Sequence, residues 1–245
     1  MENDPPEEIS SMTIKSIHDL ISYTDTIGAA YGPVVYRGQS VRGNLLPTIA
    51  RANPHENTTD EERALIEQMQ RVGVTRIPAH VTRTIDLLVL AQHFGMKTRL
   101  LDWTTNPLAA LWFACAGNSK GKRRGDRYVY LLDAKDRFVP ETPDFDPFDI
   151  DATKLIEPRL SNDRIVAQHG CFTVHRYSKR SQCFVPLERQ SLAIKQLSEF
   201  VIPSRYIDSI LASLDRVGIN QSTLFPDLEG LCRYLTWRHE SREFL

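Results

Sequence analysis

The sequence predicts an α+β fold: a single domain with a small mixed or antiparallel sheet surrounded by several helices. Three observations carry this. Ile85–Phe94 and Leu108–Ala116 are apolar on nearly every side, as buried helices are. Short β-branched and aromatic runs, Pro33–Arg37 and Tyr128–Leu132, are scattered along the chain as strands. Late in the chain Ile207, Ile210, Leu211 and Leu214 repeat at helical spacing. Strands separated by helices in no regular alternation indicate a sheet with non-sequential neighbours.

The bulk properties agree with one domain. The chain has 245 residues, enough to bury a substantial core. Lys plus Arg total 30 against 31 for Asp plus Glu, so no net field points to nucleic acid or a membrane surface as a partner. Cys115, Cys171, Cys183 and Cys232 are too far apart in sequence to suggest a zinc or redox pair, and Cys115 and Cys171 read as small core residues. The start MENDPPEEIS is acidic and lacks a signal peptide's basic and apolar segments. No apolar run approaches the ~20 residues of a membrane span. A cytoplasmic, reducing setting is expected.

In chain order, residues 1–10 form an acidic tail expected to be disordered, and 11–245 form the domain. Ser11 or Thr13 is placed to cap a helix through Ile17, Leu20 and Ile21 to about Thr26. The strand Pro33–Arg37 gives way to a loop at Gly38 and Gly43, and Arg42 and Arg51 add cations there. Guanidinium forks bind phosphate or carboxylate through paired hydrogen bonds, so Arg37 reads as a fork toward a ligand or toward the fold itself.

Thr58 or Thr59 with Glu61 and Glu62 opens a helix to about Val72. Residues 76–84 form a turn into the central helix pair. Gly95 ends the first of that pair, and Asn106-Pro107 caps and starts the second. Between them Met96–Thr104 reads as a polar linker pinned at the core edge. Arg99 and Asp102 are costly there unless paired or engaged by a ligand.

Beyond the pair, Asn118–Asp126 is a basic loop and Phe138–Asp151 a proline-bearing one. Arg164–Tyr177 reads as a strand-rich unit bending at Gly170, with Gln168 and His169 at the bend. Further strands are expected at Phe184–Leu187 and through Ala193–Ile202. Helices follow over Arg205–Val217 and Leu224–Leu235.

His93, His169, His175 and Asp102 have no metal-site spacing, so no metal is expected. Asp102 and His93 would form an acid–base pair if the linker folds back on the helix. No Ser or Cys elbow anchors a hydrolase triad. Trp103 and Trp112 read as core, with no basic strip to suggest nucleic-acid stacking.

The segment His93–Ala114, HFGMKTRLLDWTTNPLAALWFA, resembles the signature of the FRG domain, and Tyr36-Arg37-Gly38 resembles the motif that names it. Arg164–Phe172 and Leu224–Leu228 extend the resemblance, whose core spans 28–135. The name implies no mechanism. The layout also resembles mono-ADP-ribosyltransferases, in which a first-strand arginine grips NAD and a later glutamate steadies an oxocarbenium-like state. That resemblance implies cofactor-binding roles for Arg37, Gly38 and Thr104 and a catalytic role for Gln168; the charged core-edge linker and the helix end beside it add His93 and Arg99 to the cofactor-binding residues and Asp102 to the catalytic ones. Gln168 stands near where the glutamate would be.

Two functions follow. One is a nucleotide-binding enzyme that transfers ADP-ribose from NAD to an acceptor such as a protein, or hydrolyses NAD, with Arg37 on the phosphates. The other is a non-catalytic binding or interaction module, in which Arg37, Arg99 and Asp102 form an internal salt-bridge network. Arg37, Arg99 and Asp102 are expected to share one cavity.

Overall fold

The linker between the two apolar helices contains a strand, and that strand lies inside the main sheet. The computed structural model describes residues 9–28, 34–116, 125–135, 145–159, 163–190 and 196–241. Outside them lie the tail 1–8, most of the basic loop 118–126, the first half of the loop 138–151, and residues 193–195 of the expected last strand.

The elements run β1 (Ser10–Thr13), α1 (Ile17–Gly28), β2 (Val34–Gln39), α2 (Thr59–Val72), α3 (Thr84–His93), β3 (Leu100–Thr104) and α4 (Pro107–Ala116). They continue with β4 (Arg127–Asp133), β5 (Lys154–Ile156), α5 (Asp163–Ala167), β6 (Gly170–Val174), β7 (Tyr177–Ser178), β8 (Cys183–Phe184) and β9 (Leu197–Ile202). The last helices are α6 (Ile207–Arg216), α7 (Gln221–Leu224) and α8 (Leu228–Glu240). Seven strands form one sheet in the order β1-β9-β4-β2-β3-β6-β5, and β7 and β8 pair separately. Only β1 and β9 run parallel within the seven; the other pairings are antiparallel. The fold is α+β with a mixed sheet.

Alternation along the strands sorts two faces. Tyr36, Val129, Leu131, Phe200 and Ile202 pack against α4, α1 and α6 on one face. On that same face, farther along the sheet, Leu100, Phe172, Val174 and Ile156 pack against Leu87, Leu88 and Val89 of α3. The opposite face carries Val35, Tyr130, Leu132, Leu101, Trp103, Cys171 and Leu155. Leu88 and Leu111 are fully buried, each contributing roughly 1.5–3 kcal/mol of hydrophobic stabilisation.

Local chemistry sets the helix ends. Asn106 Oδ1 accepts from the Leu108 and Ala109 amides at 2.9 and 3.3 Å, capping α4 ahead of Pro107. Gly95 takes φ +90° after α3, and Met96 N donates back to the Ala91 carbonyl at 2.9 Å. Asp227 caps α8 through Gly230 N at 2.7 Å.

Three expectations change. Ser11 and Thr13 belong to β1, and α1 is opened instead by Asp19, whose carboxylate accepts from Lys15 N and Ser16 N. Arg164 lies in a short helix, so the expected bend is a helix-to-strand turn with His169 at φ 48°. Leu100–Thr104 is a strand because its backbone pairs with β6 along its whole length. Its Leu100, Leu101 and Trp103 are buried while Asp102 is exposed.

A candidate anion-binding cleft in the fork between β2 and β3

Strands β2 and β3 share a single register pair, Tyr36 with Thr104. Beyond it β2 follows β4 out to Gln39, while β3 follows β6 back to Leu100. The two strands therefore splay, and Arg37 is the first residue of β2 inside the fork. Its Nη1 donates to the Asp102 carbonyl at 2.6 Å and lies 3.7 Å from the Asp102 carboxylate. Its Nε donates to Gln39 Oε1 at 3.4 Å, and Nη2 makes no hydrogen bond among the described residues. The guanidinium thus laces the open strands together and keeps one amine in hand.

The fork continues into a cleft of about 330 Å³. The β2 side supplies Thr48 and Arg51, on and just after a short 3-10 turn over Thr48–Ala50. That turn is tied to the α3–β3 connection by Ile49 N donating to the Thr98 carbonyl at 3.4 Å. Arg51 Nε donates to the Leu46 carbonyl at 3.0 Å, which holds the side chain in place. The end of α3 supplies Gln92 and His93, followed by Gly95, Met96 and Lys97. Gln92 Nε2 donates to Asp102 Oδ1 at 2.7 Å, and its Oε1 accepts from Thr98 Oγ1. From α5 and its C-terminal turn come Arg164, Ile165 and Gln168; Val89 and Phe172 complete an apolar wall.

Charge is unevenly shared. Among the described residues, Arg37, Arg51, Lys97 and Arg164 line the cleft against one carboxylate, that of Asp102. Among the described residues only Arg37 of the four has an ion-pair partner. Burial pulls the Arg37 guanidinium down to about 10; Asp102 pulls it back up, and the Arg51 cation presses it further down. Burial, then the nearby Arg164 cation, holds His93 below the ordinary histidine range. A cleft with surplus positive charge, one free guanidinium amine and an apolar wall is built to receive an anion.

Of the residues singled out in the sequence, Arg37, His93, Asp102 and Gln168 line this cleft together. Gln168 Nε2 is committed to the Leu224 carbonyl at 3.0 Å, which leaves Oε1 as an acceptor. Asp102 and His93 do not form the acid–base pair the sequence suggests: the carboxylate is held by Gln92 and Arg37 instead.

Four residues lie elsewhere. Arg99 is fully buried, its Nε donating to Glu62 Oε2 at 2.8 Å and its backbone N to Glu62 Oε1 at 2.7 Å. Its guanidinium lies 4.3 Å from the Phe148 ring centroid, so it is not part of the cleft. The residue stands one position ahead of β3, where a buried cation takes the acid offered by α2. The expected network of Arg37, Arg99 and Asp102 is therefore two separate pairs. Thr104 Oγ1 donates to the Gln168 carbonyl at 2.6 Å and accepts from Asn106 N at 3.0 Å, a structural hydroxyl. Gly38 faces α4, where a Cβ would lie 1.8 Å from the Ala110 carbonyl oxygen. It is a glycine for close packing. Arg42, grouped with Arg51 by sequence, pairs with the buried Glu199 at 2.9 Å.

Gln92 and Arg164 enter unannounced. Gln92 gave a signal only by standing in the last turn of α3 beside His93. Arg164 stood only at the start of the Arg164–Phe172 stretch of the resemblance, and its segment read as a strand.

An α+β domain with a cationic cleft at a split in its sheet is thus the class the coordinates define. The family model of the FRG domain matches residues 32–123 of the chain. The match runs from β2 through α4 and holds Arg37, Arg51, Gln92, His93 and Asp102, while Arg164 and Gln168 lie beyond it. No curated protein and no solved structure gives a significant match to the chain. Among the described residues no helix is long and apolar enough to cross a membrane.

Proposed function

We propose that the cleft binds a nucleotide through its phosphate, with Arg37 and Arg51 as the grip. The observation that carries this is the unbalanced charge of the fork, four cations against Asp102, with Arg37 Nη2 unengaged. Each charge-assisted hydrogen bond to a phosphate contributes on the order of 1.5–3 kcal/mol. Thr48 supplies a hydroxyl beside the grip, Gln168 Oε1 accepts from a sugar hydroxyl, and Val89, Ile165 and Phe172 offer an apolar wall for a base.

The reaction this arrangement supports best is cleavage of the nicotinamide–ribose bond of NAD, with transfer of ADP-ribose to an acceptor or to water. The Asp102 carboxylate, exposed and oriented by Gln92, is the group able to steady positive charge developing on the ribose. The bond from C1′ to the nicotinamide nitrogen breaks with its electron pair leaving on nicotinamide, the acceptor's lone pair forms the new bond at C1′, and the acceptor's proton passes to solvent. A binding module without turnover is the second reading. It is favoured by Asp102 being the one carboxylate on the cleft and already facing Arg37.

Calorimetry with NAD and ADP-ribose, followed by an assay of nicotinamide release, tests both. Binding that Arg37→Ala weakens roughly 10- to 100-fold supports the grip, and release abolished by Asp102→Asn supports the enzyme. Binding without release leaves the module. No binding of either compound sinks the nucleotide reading.

A further inference from the structure

The cations of the cleft fall into two groups. Arg37 and Arg51 stand on the β2 side of β3. Arg164, on α5 beside β6, and His93 stand on the other. Between the groups lie Asp102 and its register partner Phe172. Adjacent strands are ~4.8 Å apart, so β2 and β6 are separated by roughly 10 Å, and by more where β2 splays.

The guanidinium groups have separate partners. That of Arg37 donates to the Asp102 carbonyl, and that of Arg164 is stacked 4.4 Å from the Phe225 ring centroid. The electrostatic couplings divide the same way: Arg51 acts on Arg37, and Arg164 acts on His93. Arg164 has no ion pair among the described residues, and stacking on a ring leaves the N–H edge of a guanidinium open to an acceptor.

We infer that the ligand carries two separate anionic groups, one held between Arg37 and Arg51 and the other at Arg164 and His93. The substrate class is a nucleotide with a second phosphate away from its 5′-phosphate. This rests on the phosphate-binding reading above and narrows it: among nicotinamide dinucleotides it favours one phosphorylated on the adenosine ribose over NAD itself, whose phosphates form a single 5′-linked pyrophosphate. A ligand with one phosphate fills the first position and leaves Arg164 solvated. A second phosphate gains at least one more charge-assisted contact.

The test compares adenosine 5′-monophosphate with adenosine 3′,5′-bisphosphate by calorimetry, on the full chain. The bisphosphate binds at least about tenfold tighter, beyond which each further tenfold is 1.4 kcal/mol. Arg164→Ala brings that ratio close to one by weakening the bisphosphate far more than the monophosphate, and Arg164→Lys restores part of it. Arg51→Ala weakens both probes. Equal affinity of the unmodified protein for the two probes overturns the two-anchor inference and leaves nucleotide binding standing. So does a ratio unchanged in a folded Arg164→Ala. Binding of neither probe overturns both.

Discussion

At the scale of the residue, Gln168 separates a catalytic cleft from a merely polar one. Its amide nitrogen ties the turn after α5 to the Leu224 carbonyl, its oxygen is left as an acceptor, and the residue lines the cleft. Gln168→Ala removes both, costing about 1 kcal/mol of stability for the lost hydrogen bond. It also lowers nicotinamide release if the oxygen holds a ribose. Gln168→Glu keeps the acceptor and adds charge near the sugar, so release is kept or raised. It sets a carboxylate against the Leu224 carbonyl, however, and lowers the melting temperature. Urea melts alongside release rates read the two effects separately; an alanine variant with parental turnover leaves Gln168 as a structural tie.

His93 gives a pH signature at the same scale. Its folded value lies below the ordinary 6.5, through burial first and Arg164 second. The unfolded chain therefore takes up the proton first as pH falls. Stability declines from about pH 6.5 downward and levels once the folded form is protonated as well. A pH series of denaturant melts shows this decline, and His93→Gln flattens it. A phosphate bound beside Arg164 offsets that cation, so ligand binding near pH 6 takes up protons.

The residues of the cleft were legible to the extent that local pattern exposes them. Arg37, at a strand-to-loop boundary next to glycine, and Asp102, charged amid large apolar groups, stood out. Arg99 stood out for the same reason and proved to be internal. Charge among apolar neighbours indicates that a partner exists, and only the fold decides whether the partner is Glu62 or a ligand.

At the scale of the element, that pair fastens α2 to the start of β3. Burial holds the Glu62 carboxyl above its ordinary range, although Arg99 acts to lower it. The same burial holds Arg99 below its own, although Glu62 acts to raise it. A buried ion pair is costly to break and cheap to replace. Glu62→Gln is expected to destabilise by about 3–5 kcal/mol, because Arg99 is left charged and uncompensated. The double variant Glu62→Leu with Arg99→Met recovers most of that loss. Chemical denaturation of the three variants checks the order.

Helices with strong periodicity or caps, α2, α3, α4 and α6, were predicted to within a residue or two. The strand β3 was not: five residues with an exposed aspartate at the centre carry too little alternation to outweigh the reading of a linker. Its strand character comes from β6, some 70 residues away in sequence.

At the scale of the whole molecule, the sheet consists of two leaves, β1-β9-β4-β2 and β3-β6-β5, joined at Tyr36 and Thr104. The ligand proposed here lies across that joint. Its binding should slow amide exchange at Gly38, Gln39 and Leu100–Asp102 more than at β4 or β9, which are already paired on both edges. At a hundred times the dissociation constant, the folded state gains ≈ 2.7 kcal/mol. Exchange measured by mass spectrometry with and without nucleotide reads the pattern; uniform protection would place the ligand outside the fork.

The parallel pairing of β1 with β9 has a consequence for how the chain is made. Ser10 pairs with Ser198, nearly two hundred residues later in synthesis. Nearly the whole domain must be synthesised before that edge can form. Until β9 arrives, β4 also lacks its outer neighbour. Chains arrested before Leu197 therefore present a long apolar strand edge, the kind of template on which nascent proteins associate. That edge of the sheet closes late, once β9 has been made.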